Sequence, residues 1–259
     1  HCKDTGVKSV KLVISGEDAL KPGSSQDILY TDEEVAAAAQ AAKDAGLWLS
    51  AHCYTPRAIA MALNNGVRVI YHCSWADEAT LDLMEAHKDE IFYGPAIGVI
   101  VGTLEASPPP PIEMSAMKAS AEQVLALDKA LVPELKRRGV RVLIGGDYGF
   151  PFNPNGRNAR DLEHFVTHFG YTPAEALCAA TMLGGQVMGM GDELGLIRPG
   201  YLADLLLVDG DPTQDVRVLQ DKDRLSMIML GGRMHKAPAD ADAGVHAGAD
   251  AGAADAVSA

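Results

Sequence analysis

The sequence predicts an α/β fold organised around a parallel sheet, on three observations. Short apolar, β-branched runs alternate with helical stretches between residues 10 and 147, which is the pattern of βαβ units. The helical stretches open on N-cap residues or proline, and several close on glycine. The chain has 259 residues, 47% hydrophobic and 22% charged, enough to bury one large core or two smaller ones. Right-handed crossovers then leave two arrangements, an open doubly wound sheet or a closed barrel.

Each element follows in order. VKLVISG (10–16) is an apolar run closed by glycine and reads as a buried strand. After a loop with Pro22 and Gly23, TDEEVAAAAQAAKDAG (31–46) offers Thr31 as N-cap, Glu34 at capping-box spacing and Gly46 as the stop. LWLSAHC (47–53) is the second strand, PRAIAMALNNG (56–66) a helix with Pro56 at its start, and VRVIYHC (67–73) the third strand. SWADEATLDLMEAHKDE (74–90) reads as a helix and IFYGPAIGVI (91–100) as a strand running into a loop. GTLEASPPPPIEMSAM (102–117) is rich in proline and small residues, so it is expected to be an irregular excursion. SAEQVLALDKALVPELKRRG (120–139) is a long helix that Pro133 should kink, and VRVLIGGD (140–147) is a fifth strand.

Beyond a loop at 148–156, NARDLEHFVTHFG (158–170) and TPAEALCAATMLGGQVMG (172–189) read as two helices, the second capped by Thr172 with Pro173 behind it. ELGLIRPGYLADLLLVDGDP (193–212) and LSMIMLGGRMHK (225–236) change texture to short strands with tight turns, a small β appendage. Residues 237–259 are low-complexity Ala, Asp and Gly and are expected to be disordered.

Composition excludes several classes. A formal net charge of −13 lacks the clustered cations that displace counterions from phosphates, so nucleic acid is not an expected partner. No stretch approaches the roughly 20 apolar residues of a membrane span. HCKDTGVKSV at the N-terminus has neither signal-peptide shape nor an initiating Met, so residue 1 is read as not the natural start. A cytoplasmic location is the default, with export left open. The expected partner is a small-molecule substrate, and homo-oligomerisation stays open. Cys2, Cys53, Cys73 and Cys178 are far apart with no C-x-x-C, which favours reduced thiols over a zinc ribbon or a disulfide framework.

Four of the five strands carry a polar residue at or near the C-terminal end: Lys11, His52, His72 and Asp147. In barrels and open parallel sheets alike, such ends converge on the face where sites are built. Taken singly, each has an ordinary reading as a snorkelling lysine, a hydrogen-bonded histidine or a turn-capping aspartate. Together they point to a site. An unpaired ammonium inside a sheet is costly, and carbamylation by carbon dioxide would turn Lys11 into an anionic ligand able to bridge two metal ions. Neutral imidazoles from His52 and His72 suit the same shells. Asp147 could hold one metal and a proton, acting first as general base and then as acid to the leaving group. Cys53 and Cys73 follow the histidines on strands where side chains alternate, so they are expected to pack away from the site. His87, His164, His168, His235 and His246 lie away from strand ends or in the appendage and tail, and are read as structural. Tyr54 and Tyr148 follow ligand positions and are candidate substrate-binding residues.

These residues resemble the amidohydrolase superfamily, in its imidazolonepropionase-like and prolidase-like branch. VKLVISG is similar to the strand of the carbamylated lysine. The stretch YTDEEV to VIYHC (30–73) is similar to the span of the two single-histidine strands, and GVRVLIGGD places Asp147 at the catalytic aspartate. TPAEAL to LLLVDGDP (172–212) is similar to the closing helix and its return to a β-sandwich. The resemblance covers roughly residues 7 to 236. It implies a distorted (β/α)8 TIM-like barrel, of which only later strands are present, with 1–198 as barrel and 199–236 as the second half of a small β-sandwich. It implies a divalent metal, usually Zn2+, as one or two ions, with lysine carbamate, and cleavage of a C–N amide bond by a metal-activated hydroxide. A peptide-like or N-acyl amino acid substrate is the leading class, and a cyclic amide, lactone or xenobiotic ester the alternative. The family's opening His-x-His is absent from this chain, so the chain is read as the C-terminal portion of a longer protein. A non-catalytic fragment is the reading from another class.

Overall fold

The structure, a computed structural model, describes residues 4–18, 21, 23–107 and 114–238. The proline run at 108–111 and the tail from residue 239 lie outside the described residues, as do Cys2 and His246.

Five parallel strands form the main sheet: β1 (Ser9–Val13), β2 (Trp48–Cys53), β3 (Val69–His72), β4 (Phe92–Gly94) and β5 (Arg141–Val142). They lie side by side in sequence order. A doubly wound sheet reverses its strand order at a switch point, whereas a barrel adds each strand beside the last. The observed order is of the second kind, and among the described residues the sheet stops at five strands without closing. The fold is thus mixed α/β with a partial barrel sheet. The crossovers carry α1 (Asp32–Asp44), α2 (Pro56–Asn64), α3 (Glu78–Ala86), and the successive pair α4 (Ile97–Glu105) and α5 (Ser115–Arg137). Three helices follow, α6 (Arg160–Phe169), α7 (Pro173–Ala180) and α8 (Met182–Val187). A separate antiparallel sheet closes the described chain, with β6 (Leu205–Val208), β7 (Leu225–Leu230) and β8 (Arg233–Lys236) in that order.

Local signals explain the helix starts. Thr31 accepts from the Glu34 amide while Glu34 accepts from the Thr31 amide. Thr172 and Glu175 repeat this reciprocal box at α7. Each such cap is worth about 1 kcal/mol. The core lies between the sheet and its helices, with Ile14, Ala51, Ile59, Ile70, Ile97 and Phe165 fully buried. Cys53 and Cys73 are fully buried in the same cluster. They are free thiols that pack.

Three expectations need correction. The strand expected at 91–100 ends at Gly94, and residues 97–105, expected to be strand end and irregular loop, are the helix α4. The Ile-Gly-Val-Ile-Val run has β propensity, but tertiary packing overrides it. Gly98 permits that packing, since a Cβ there would stand 2.8 Å from the Gly146 Cα and 2.7 Å from Asp161 Oδ1. The fifth strand pairs only at Arg141 and Val142, with one further bond from the Leu143 amide to the Tyr93 carbonyl. The helix expected at 172–189 breaks at Thr181, whose hydroxyl donates to the Leu177 carbonyl at 2.8 Å. Such back-bonding bends helices, and the Gly184–Gly185 pair beyond it has low helix propensity.

Asp128, on α5, is fully buried and neither carboxyl oxygen meets a hydrogen-bond partner. Burial pushes the group up to about 8. Between its unfolded value of 3.8 and about 8 the folded state holds the extra proton, so this group costs stability progressively as pH rises. Asp128→Asn is expected to raise the melting temperature by several degrees at pH 8 and hardly at all at pH 4. Equal shifts at both pH values in thermal denaturation would remove the assignment.

Candidate active site

The register of β1, β2 and β3 sets the histidines side by side. Val13 pairs with His52, His52 with Tyr71, and Cys53 with His72. The two imidazole centroids are 4.3 Å apart. His52 Nε2 lies 3.1 Å from the Gly16 carbonyl oxygen and 3.6 Å from a Glu17 carboxylate oxygen. The contact with Gly16 selects the tautomer protonated at Nε2 and leaves the Nδ1 lone pair available. His72 is 2% exposed, and neither of its ring nitrogens has a partner. Burial holds His52 below the ordinary histidine range, opposed in part by the Gly16 carbonyl, with lesser effects from Lys11 downward and Asp147 upward. His72 lies further below it, through burial first and then His52 and Lys11. Both are neutral imidazoles at pH 7.

Among the described residues, non-glycine positive φ occurs at His72 (73°), Cys73 (59°), Ala96 (57°) and Asp147 (52°). Such conformations cost about 1–3 kcal/mol each and persist where neighbours enforce them. Around His72 the Tyr93 hydroxyl donates to the His72 carbonyl at 2.8 Å, and the Cys73 amide donates to the Cys53 carbonyl at 2.8 Å. Around Asp147 the enforcing group is Asn153, whose side-chain amide donates to the Gly146 carbonyl at 2.7 Å and the Asp147 carbonyl at 3.1 Å.

Lys11, His72, Asp147 and Tyr148 line one cavity of about 400 Å³, together with Tyr71 and Asp161. Asp147 is exposed there, five residues beyond the last paired residue of β5. Lys11 departs from expectation twice. It pairs with Ser50 in mid-strand, two residues short of the strand end, and it is exposed, so no burial cost has to be offset. Its ammonium stands 4.8 Å from the Tyr71 ring centroid, facing the cavity. Tyr54 stacks on His72 at 4.8 Å and meets His52 edge-on at 4.9 Å. It lines a second, smaller cavity that also reaches Asp147.

Asn153 and Asp161 went unnoticed in the sequence. Asp161 is 1% exposed, its Oδ1 has no partner, and burial pushes it up to about 6 against pulls from Tyr148 and Arg160. It reaches beneath the Asp147 loop only because Gly98 and Gly146 lack side chains, a Cβ on either standing 2.7 Å from its carboxylate. The Gly145-Gly146 pair before Asp147 was the available signal. A further cavity of about 420 Å³ lies at the opposite ends of the strands, lined in part by Arg68, Phe92 and Arg141. Arg141 there stacks on Phe92 at 3.9 Å and donates to the Ile91 and Asp89 carbonyls, which marks a structural role.

Buried ring nitrogens without a protein partner call for an explanation, and a metal ligand awaiting its ion is one that suits His72. Among the described residues no group of three or more His, Cys, Asp and Glu side chains is arranged to hold a metal ion. The donor chemistry present at the site is thus limited to the two neutral imidazoles of His52 and His72 and the carboxylate of Asp147.

The model of the amidohydrolase family matches residues 21–235. Ochratoxinase from Aspergillus niger is 28% identical over 234 residues, covering 90% of this chain and 47% of that protein. A crystal structure of a Xaa-Pro dipeptidase with bound methionine superposes with a TM-score of 0.75 at 26% identity, over 90% of this chain and 55% of the other. A prolidase complexed with N-methylphosphonate-L-proline gives 0.76 at 26% identity, over 90% and 56%. The chain spans about half the length of the curated ochratoxinase.

Proposed function

Because this chain belongs to the amidohydrolase family, we propose that it carries the catalytic-aspartate part of a site that hydrolyses a C–N amide bond in peptide-like or N-acyl amino acid substrates. The observation that carries this reading is the cavity shared by the unpartnered His72 imidazole and the exposed Asp147 carboxylate. The names of the relatives, a Xaa-Pro dipeptidase and a prolidase, favour an amide over an ester. In this reading residues 1–198 belong to the barrel and 199–236 to the β-sandwich.

Asp147 accepts a proton from the attacking water as its oxygen bonds to the amide carbon. It then returns that proton to the nitrogen as the C–N bond breaks, so amide and water become carboxylic acid and amine. Asn153 braces the strained Asp147 backbone beside the cavity, which limits how far the carboxylate can stray from the substrate. His52 and His72, neutral through burial, are the residues that would hold a divalent metal, zinc by preference, with Lys11 as its carbamate and Asp147 beside them. Such an ion, when bound, lowers the pKa of water and polarises the carbonyl. Tyr148, at the cavity wall, and Tyr54, stacked on His72, shape the space for substrate. A panel of dipeptides, N-acetyl amino acids, a cyclic amide, a lactone and aryl esters, offered to the full-length natural protein with zinc present, tests the reading. Release of free amine from the linear amides is expected; turnover of esters alone would overturn it.

A further inference from the structure

We propose that the small cavity beside Asp147 is a specificity pocket that takes a compact, uncharged apolar group of the substrate. The proposal rests on the amide-hydrolase reading and deepens it. The cavity measures about 70 Å³ and shares Asp147 with the larger cavity, so a group seated in it is attached to the reacting part of the same molecule. It lies against a cluster of buried apolar side chains separate from the main core, formed by Tyr54, Ile100, Ala121 and Val124. Phe150 and Phe152 also line it, stacked at 5.3 Å, and Phe150 is 40% exposed. An apolar void next to reactive groups, with exposed aromatic surface on its wall, is the usual form of a ligand pocket.

Its polar groups point to the same ligand class. The Thr103 hydroxyl is bonded to the Val99 carbonyl at 2.8 Å, and the Ser120 hydroxyl to an Asp18 carboxylate oxygen at 3.0 Å. Neither hydroxyl proton is left to bind a polar substituent. Glu17 is the other acid on the wall besides Asp147, so an anionic group would meet like charge. The volume suits a branched group of roughly three or four carbons.

The test uses the full-length natural protein with zinc and a series of N-acetyl amino acids and dipeptides in which one side chain runs Ala, Val, Leu, Phe, Asp, Lys. In the wild type, kcat/KM for Val or Leu should exceed that for Ala about tenfold, at the matching position, and exceed Asp by more. Ala121→Leu, which fills the cavity, should lower the Leu-to-Ala ratio at least tenfold. Ile100→Ala, which enlarges it, should shift preference toward Phe, and serves where the filled variant does not fold. Amide turnover with the same side-chain ratios in the wild type and both variants overturns the pocket while leaving the amide reading intact. No turnover of any amide in the series overturns both.

Discussion

Replacing Asp147 with alanine in the full-length natural protein is expected to lower kcat for amide hydrolysis by about 10²–10⁴-fold, the usual worth of a positioned general acid–base. KM should change little, because the carboxylate acts on protons in transit. The residue is exposed and packs into no core, so a fold measured by circular dichroism should survive. Its φ of 52° is a conformation that alanine tolerates less well than aspartate or asparagine. Asp147→Asn is therefore the paired variant, keeping the backbone preference and the shape while removing the proton acceptor. Equal losses in both variants assign the effect to proton transfer. Activity within tenfold of wild type in either would place the acid–base group elsewhere.

His72→Asn is expected to remove the response of the protein to zinc. At one hundred times its dissociation constant a ligand stabilises the folded state by about 2.7 kcal/mol, which raises a melting temperature by about 5 °C in a chain of this order. The wild-type full-length protein should show that rise, and the variant should show little or none. Asparagine suits the position because it tolerates the φ of 73° that His72 adopts. In zinc-free buffer the variant should still fold, at a cost set by the Tyr54 stacking it loses and the buried amide it introduces. A variant that melts higher on zinc addition, as the wild type does, would show that the ion binds without His72.

Much of this site was legible in one dimension. Period and punctuation mark the strands, and His52 and His72 stand out because consecutive strands end in the same pair. At His52 and Cys53 the separate fates follow from alternation along β2, whereas His72 and Cys73 sit in left-handed backbone at the end of β3; both cysteines are in the core. The capping boxes at Thr31 and Thr172 are local and were readable for that reason. What escaped depends on distant chain. The helix α4 can pack where it does because Gly98 lets it approach Gly146 and Asp161, residues 48 and 63 positions away, which no local propensity encodes. Asn153 passed unremarked within the 148–156 loop, yet its amide braces the Asp147 loop. Lys11 was placed by its apolar neighbours as if buried, but it is exposed, with its ammonium over the Tyr71 ring.

The most direct measurement is amine release from a linear amide by the full-length natural protein, before chelation, after exhaustive chelation, and after zinc is returned. The account predicts turnover that disappears with the metal, returns with it, and returns in neither the Asp147→Ala nor the His72→Asn protein. Amide turnover that survives complete metal removal, or its absence from a folded protein shown to hold zinc, would contradict it.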